Sequence, residues 1–480
     1  QVRADSAGDA VFTVTGRSAT ESDGMERTIP VVEYGMEQLL ARSGATSNEV
    51  TVEVTLPARR SGPLEFSVGV TPSLATSMLD ALPYLAAYPY GCTEQTLSRF
   101  LPAVVVRRTL RDLGLDAETV MSRAFGGIST NAAGGTAPGL GTRRDLLKLD
   151  DMVAAGLQRL MEFQHDNGAW GWWAEGPDDA WMTAYVVWGL RLAEAAGVKV
   201  DAERLTRADR WLVEHLVDLE SSPDRLAWGL HALAMGRVQP GQPAAGELER
   251  RAWDRLWPRR AELNAYSQAL LALSAHRFGF AEQAKALAAA LSASAVRQED
   301  PATSLLYGTA VTGGSTLPTA HWGRTDRNWL WSENGVEATA MVVRALMAIS
   351  PEDSQADAAV MWLLKNRRGA SWSNTRSTAI SVLALTDYLQ RRRPETSDLA
   401  FEVVVNGRSL ARRAFLPEEF LGAPVRVSVP ESLAVPGTNR VTIRRTGGQG
   451  RLYFAVEARF FSQERPIPPA AADLFVRRDY

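Results

Sequence analysis

One cysteine in 480 residues excludes an intrachain disulfide framework, so cross-linking is not what holds a chain of this length together. No uninterrupted apolar run reaches the length needed to span a bilayer. Charge of one sign is missing too: 52 Lys and Arg stand against 55 Asp and Glu, a net charge of −3. No basic stripe interleaves with aromatics, so nucleic acid is not an expected partner. The five histidines, His165, His215, His231, His276 and His321, are scattered, and none forms a recognisable signature with the cysteine. The glycine-rich stretch FGGISTNAAGGTAPGLGTRRD, Phe125 to Asp145, lacks the Gly-Lys-Ser/Thr ending of a phosphate loop and reads as a mobile surface loop. No cofactor and no metal is expected.

What is present divides into two patterns. The length exceeds one ordinary core and suggests about three domains, or a large helical domain with a smaller companion. NEVTVEVTLP alternates Val50, Val52, Val54 and Leu56 with polar residues, the period of a half-buried strand. AVFTVTG (Ala10 to Gly16) and LEFSVGV (Leu64 to Val70) read similarly. The pattern returns near the C-terminus in FEVVVNGRSL, with an Asn406-Gly407 hairpin turn, then in VRVSV, NRVTIRR and LYFAVEARFF. Each end supplies about four strands, too few to bury two sheet faces alone, so together they are expected to close one antiparallel sandwich around a long insertion.

The insertion repeats a helical octad with Ala second and Leu last: TAYVVWGL from Thr183, LAWGLHAL from Leu226, NAYSQALL from Asn264, TAMVVRAL from Thr339 and TAISVLAL from Thr378. Successive starts are 43, 38, 75 and 39 residues apart, and the doubled gap is expected to hold a degenerate copy near TSLLYGTA at Thr303. A period of about 40 fits one helical hairpin per unit. About six or seven hairpins would close into a ring, an α/α toroid, which removes the capping problem of an open solenoid; an open helical repeat is the alternative. The expected fold is thus α+β and multidomain. Residues 1–72 form one half of the sandwich, 73–392 the toroid, 393–465 the other half, and 466–480 a linker with the start of a further β domain. The chain opens on Gln1, without an initiator Met or an apolar signal region, and closes on the proline-rich RPIPPAAADLFVRRDY. It is therefore expected to be a fragment of a longer protein.

The single cysteine sits in YPYGCTEQTLSRF, Tyr88 to Phe100, between a Pro/Gly turn and a helix-like run. Three chemistries fit Cys92. It packs as a small buried hydrophobe; it is a thiol nucleophile, which needs a base the scattered histidines do not offer; or it joins Gln95 in an internal thioester. In the third case the sulfur attacks the Gln95 amide carbon, ammonia leaves and a small ring closes. Glutamine is required, because an unactivated carboxylate would have to expel hydroxide. Two intervening residues in a tight turn bring thiol and carboxamide together, and Gly91 supplies backbone freedom there. Water must be kept from such an acyl group. The aromatic cluster GAWGWWAEGPDDAW, Gly168 to Trp181, is a candidate lid, although each ring taken singly also suits plain core.

PYGCTEQ resembles the Gly-Cys-x-Glu-Gln motif of the alpha-2-macroglobulin and complement thioester proteins, and the YPYGC lead-in looks like the bacterial alpha-2-macroglobulins. AWMTAYVVWGLRLA, GVEATAMVVRAL and SWSNTRSTAISVLAL resemble successive helical segments of that family, so the likeness covers nearly the whole chain. The resemblance implies an α/α-toroid thioester domain inserted into a CUB-like β-sandwich. It also implies a single-use covalent protease trap, not a turnover enzyme. In that scheme an endopeptidase cleaves a bait region elsewhere in the full protein, the thioester is uncovered, and a Lys amine of the protease takes the Gln95 acyl group. By the same likeness Cys92 and Gln95 carry the chemistry, Glu94 holds the motif's Glu position, and Tyr88 sits where bacterial members have a shielding aromatic. Target endopeptidases and upstream macroglobulin domains of the parent chain are the implied partners. The implied location is the periplasm, with a lipid anchor to the inner membrane in the parent.

Two departures qualify the scheme. VDLESSPDRLAWG has no His where some complement members use one to favour hydroxyls, so amine targets are expected. No bait region is present, so this chain alone is not expected to trap a protease. A toroid also hosts enzymes. QHDNGAW, Gln164 to Trp170, fits the Gln-x-x-x-Gly-x-Trp motif of triterpene cyclases, but neither KLDD (Lys148 to Asp151) nor PDD (Pro177 to Asp179) matches the Asp-x-Asp-Asp acid they need. A helical scaffold without a working thioester is the remaining alternative.

Overall fold

The computed structural model describes residues 8–31, 36–74, 91–112, 149–236, 246–298, 311–313, 317–324, 334–367, 371–392, 397–416 and 424–462. The chain begins with strands β1 (Gly8–Arg17), β2 (Ser22–Val31), β3 (Met36–Thr46), β4 (Glu49–Leu56) and β5 (Arg60–Thr71). Helices α1 (Thr93–Asp112), α2 (Leu149–Glu162), α3 (Ala180–Ala195), α4 (Ala202–Glu214) and α5 (Leu216–Leu219) follow. Next come α6 (Pro223–Ala234), α7 (Glu247–Leu256), α8 (Ala265–Phe278) and α9 (Ala281–Ala293). Three short strands, β6 (Val296–Gln298), β7 (Val311–Gly313) and β8 (Thr319–His321), precede α10 (Gly335–Ile349), α11 (Ser354–Lys365) and α12 (Thr375–Arg391). The chain returns to strands with β9 (Ser397–Val405), β10 (Arg408–Ala414), β11 (Val425–Ser428), β12 (Gly437–Gln449) and β13 (Leu452–Ser462).

Both ends build one sandwich. Its two antiparallel sheets run β10-β9-β12-β4-β7 and β11-β5-β13-β3, so each sheet combines strands from before and after the helices. The alternation of Val50, Val52, Val54 and Leu56 puts all four into the core, against Phe66, Val68, Val403, Val441 and Val456. Asn406 and Gly407 both adopt positive φ, 49° and 82°, as the two-residue turn between β9 and β10 requires. Two strands depart from expectation. β1 pairs only with β2, in a separate hairpin that leaves Val11, Val14, Met25 and Ile29 exposed, so the sandwich draws its N-terminal strands from Met36 onward. Alternation marks β1 as a strand but does not name its sheet. β7, from within the helical stretch, extends the five-stranded sheet through Val52 opposite Gly313 and Val54 opposite Val311.

Between the two strand sets, α1, α3, α6, α8, α10 and α12 pack each on the next, and α12 packs back on α1, which closes the ring. α2, α4, α7, α9 and α11 return outside it, on α1, α3, α6, α8 and α10 respectively. Each inner helix is followed by an outer one running back, so the inner helices all start from the same end. All five octads fall on inner helices, α8 taking its own from the cap residue Asn264. Small residues set the spacing: a Cβ at Gly189 on α3 would lie 2.5 Å from Leu97 Cδ1 on α1. α8 packs directly on α10, and the described residues between them include β6, β7 and β8. TSLLYGTA itself lies outside the described residues, as do the glycine-rich stretch from Phe125 and everything after Ser462. No helix among the described residues is long and apolar enough to cross a membrane.

A repeated polar clasp explains the Thr that opens three of the octads. Trp170 N–H donates to Thr183 Oγ1 at 2.9 Å, Trp322 N–H to Thr339 Oγ1 at 3.1 Å, and Trp372 N–H to Thr378 Oγ1 at 3.0 Å. Each indole N–H then donates to a carbonyl of the preceding outer helix: Leu160 at 2.7 Å, Leu291 at 2.8 Å and Leu363 at 2.8 Å. Every loop entering these inner helices is thereby tied to both neighbours, with the rings filling core. Thr339→Val strands a buried donor, which costs about 1–3 kcal/mol. Urea unfolding is expected to show that loss for Thr339→Val and little for Thr339→Ser.

Candidate functional site

The first turn of α1 assembles the site. Thr96 N–H and Thr96 Oγ1 both donate to the Cys92 carbonyl at 2.9 Å, so Cys92 caps the helix. Its own N–H is one of the donors that a helix start leaves without an intrahelical partner. That N–H donates to Gln95 Oε1 at 3.2 Å, so the Gln95 side chain folds back over the turn. Gly91 makes this possible: a Cβ there would lie 1.5 Å from Oε1 and 2.6 Å from Gln95 Cδ. Gly91 is not among the glycines with positive φ, so the turn needs its missing side chain and not the backbone freedom expected from sequence. Cys92 itself is 9% exposed.

Two more segments hold this turn. Arg159 on α2 donates from Nη2 to the Gly91 carbonyl at 3.3 Å, with its guanidinium 4.9 Å above the Phe163 ring. On another side, Thr93 N–H donates to the Trp172 carbonyl at 3.0 Å and Thr93 Oγ1 to the Gly171 carbonyl at 2.7 Å. The aromatic segment therefore reaches the residue beside Cys92, but through its backbone. Its rings are divided: Trp170 is fully buried core, Trp172 stacks on Trp181 at 6.0 Å, and Trp173 is 63% exposed. The segment is anchored at Asp178, which bonds His165 Nδ1 at 2.5 Å and accepts from Asn167 Nδ2 at 2.7 Å. Burial pulls the Asp178 carboxyl up, but the hydrogen bonds from His165 and Asn167 outweigh it and hold it below its usual range.

Beneath the turn, the inner-helix N-termini enclose charge. Glu94 accepts from Ser98 Oγ at 2.6 Å. Arg376 on α12 pairs with Glu337 on α10, which is 1% exposed and also accepts from Ser377 Oγ at 2.8 Å. Burial keeps the Tyr185 phenol protonated well above its usual range despite the Arg376 charge, with a smaller push from Glu94. Gln164 of the cyclase-like motif donates from Nε2 to the Gly168 and Arg204 carbonyls, both at 3.0 Å. It clasps helices together, as such motifs do, and Trp170 is fully buried. Among the described residues no cluster of His, Cys, Asp or Glu is placed to hold a metal ion.

The chain that carries this turn resembles known proteins in sequence and in fold. Residues 68–218 match the A-macroglobulin TED domain family. Sequence likeness to alpha-2-macroglobulins extends to two bacterial relatives. The chain is 28% identical over 195 residues to the alpha-2-macroglobulin of Thermotoga maritima, a match covering 40% of this chain and 10% of that protein. To the Escherichia coli alpha-2-macroglobulin it is 32% identical over 136 residues, 28% of this chain and 7% of that protein. The matched stretch is thus a tenth or less of those relatives' length. The fold is shared with E. coli alpha-2-macroglobulin from domain MG7 to the C-terminus, at a TM-score of 0.57 and 17% identity, over 96% of this chain and 64% of that one. It is shared also with a Salmonella alpha-2-macroglobulin at 0.56 and 17%, over 97% and 27%.

Of the expected site residues, the structure brings Cys92, Glu94 and Gln95 onto one turn, while Tyr88 lies outside the described residues. Arg159, 68 positions from Gly91, carried no sequence signal, because nothing short-range links it to the motif. Gly91→Ala is expected to expel the Gln95 carboxamide, read as faster hydrogen exchange at the Cys92 amide with α1 otherwise intact. A carboxyl lowered on folding stabilises the folded loop above its unfolded value, and that stability is lost as pH falls through the lowered one. Loop tryptophan fluorescence is therefore expected to hold from neutral pH down to the ordinary carboxylate range and to change below it, with the change absent in Asp178→Asn.

Proposed function

We propose that this chain is the acylating part of a covalent endopeptidase trap, with an internal thioester between Cys92 Sγ and Gln95 Cδ. The observation that carries the reading is the Gln95 carboxamide folded across Gly91 with its oxygen on the Cys92 N–H, an arrangement a packing cysteine does not need. In the parent protein, cleavage of a bait region uncovers the acyl group. A Lys amine of the protease attacks Gln95 Cδ, an amide bond forms, and the Cys92 thiol is released. Each molecule acts once, so the chain is a consumed reagent and not a turnover catalyst. Macroglobulin domains of the same parent chain are its expected partners, and the periplasm, by kinship with the bacterial relatives, its expected location. A Salmonella alpha-2-macroglobulin of the same fold has been reacted with methylamine, and by that likeness amine chemistry is proposed for this chain. The Gln164 clasp is a structural tie and gives the cyclase reading no catalytic acid. The scaffold reading remains the direct competitor.

Intact-mass measurement separates the two. The native chain is expected to be lighter than its encoded mass by one ammonia and to gain one methylamine, and Cys92→Ala is expected to do neither. A full encoded mass with no adduct leaves the scaffold.

A further inference from the structure

We propose that the Gly91–Cys92 peptide is an oxyanion-stabilising group for acyl chemistry at Gln95, and that Arg159 is the residue that positions and polarises it. This rests on the thioester reading and adds how the acyl carbon is activated. The Cys92 N–H donates to Gln95 Oε1 at 3.2 Å. That oxygen is where negative charge develops when a nucleophile adds to Gln95 Cδ, and a donor already aimed there needs no reorganisation during the reaction. The donor lies at the start of α1, where the unpaired N–H groups carry partial positive charge that acts in the same sense.

The opposite edge of the same peptide is also engaged. The Gly91 carbonyl accepts from Arg159 Nη2 at 3.3 Å. A cation on an amide oxygen withdraws electron density from the amide nitrogen and makes its N–H a stronger donor; linked hydrogen bonds reinforce each other this way. The Phe163 ring beneath the guanidinium fixes where that charge sits. A side chain at residue 91 would occupy the place of the Gln95 oxygen, so the relay and the glycine go together.

Two addition steps use this oxygen. In ring closure the Cys92 thiol yields its proton to solvent, its sulfur bonds to Gln95 Cδ, and the oxyanion collapses with loss of ammonia, which takes up a proton. In transfer an amine nitrogen bonds to the same carbon, the C–S bond breaks, and the amine's proton passes through solvent to the departing sulfur. No further reactant enters either step. The Cys92 N–H touches the reacting carbonyl in both, while Arg159 works through it as a positioning residue.

The test is the rate of methylamine incorporation per intact thioester, followed by mass on the whole chain. Arg159→Met is expected to slow it on the order of tenfold, less than the loss of a direct donor. Arg159→Lys is expected to recover part of that rate. A residue that merely tethered α2 to the turn gives the opposite sign, because loosening the turn exposes the acyl carbon. A rate in Arg159→Met equal to or above wild type overturns the proposal. If Arg159→Met forms no thioester, Arg159→Lys decides: slower than wild type supports the relay, equal or faster removes it. A wild-type chain with neither mass loss nor adduct overturns the thioester reading and this proposal with it, whereas a wild-type adduct with undiminished variant rates overturns only the relay.

Discussion

A carboxamide held against a glycine by one backbone hydrogen bond organises the functional end of this chain. The contact between Gln95 Oε1 and the Cys92 N–H places an amide carbon on the same turn as the chain's single thiol. Everything nearby serves that turn. Thr96 fixes the Cys92 carbonyl from within α1, Arg159 holds the Gly91 carbonyl from α2, and Thr93 is pinned to the Gly171–Trp172 backbone. The Cys92–Gln95 turn is therefore held from three directions, as the proposed single-use chemistry requires.

The toroid is what makes such a turn rigid. Its inner helices start from one end, so α1 opens among the N-termini of five others, and the Glu337–Arg376 pair ties α10 to α12 there. At the opposite end Asp387 accepts from Arg344 at 2.8 Å and faces Arg108 of α1 at 3.9 Å. Only the Arg108–Asp387 contact crosses from α12 to α1, whereas the other two tie α12 to α10. Breaking a buried pair by removing one partner is costly, so the Glu337–Arg376 pair helps set the register of α12 on α10. The sandwich, joined to the toroid where α11 rests on β3 and where β7 extends its sheet, supplies the frame.

The sequence made the periodic parts of this plain. Alternation placed Val50 to Leu56 in a sandwich core, Asn406-Gly407 marked its hairpin, and the octads located five of the inner helices because each repeats the same packing problem. The Cys92–Gln95 spacing anticipated that the two side chains share one turn. What stayed hidden depends on long-range contact. Nothing local distinguishes β1, which makes a separate hairpin, from β4, which enters the core. Nothing in VTG at 311–313 announces an edge strand paired with residues more than half the chain away. Gly91 looked like a hinge and proved to be a gap for another side chain, and Arg159 had no signature because its partner is a backbone carbonyl.

The central claim is a covalent bond between two named side chains, and thiol release coupled to amine uptake tests it most directly. The native, undenatured chain is predicted to show no alkylatable thiol at Cys92, and methylamine is predicted to free one thiol for each amine incorporated at Gln95. A Cys92 that alkylates at once in the untreated native chain, beside an intact Gln95 carboxamide, contradicts it.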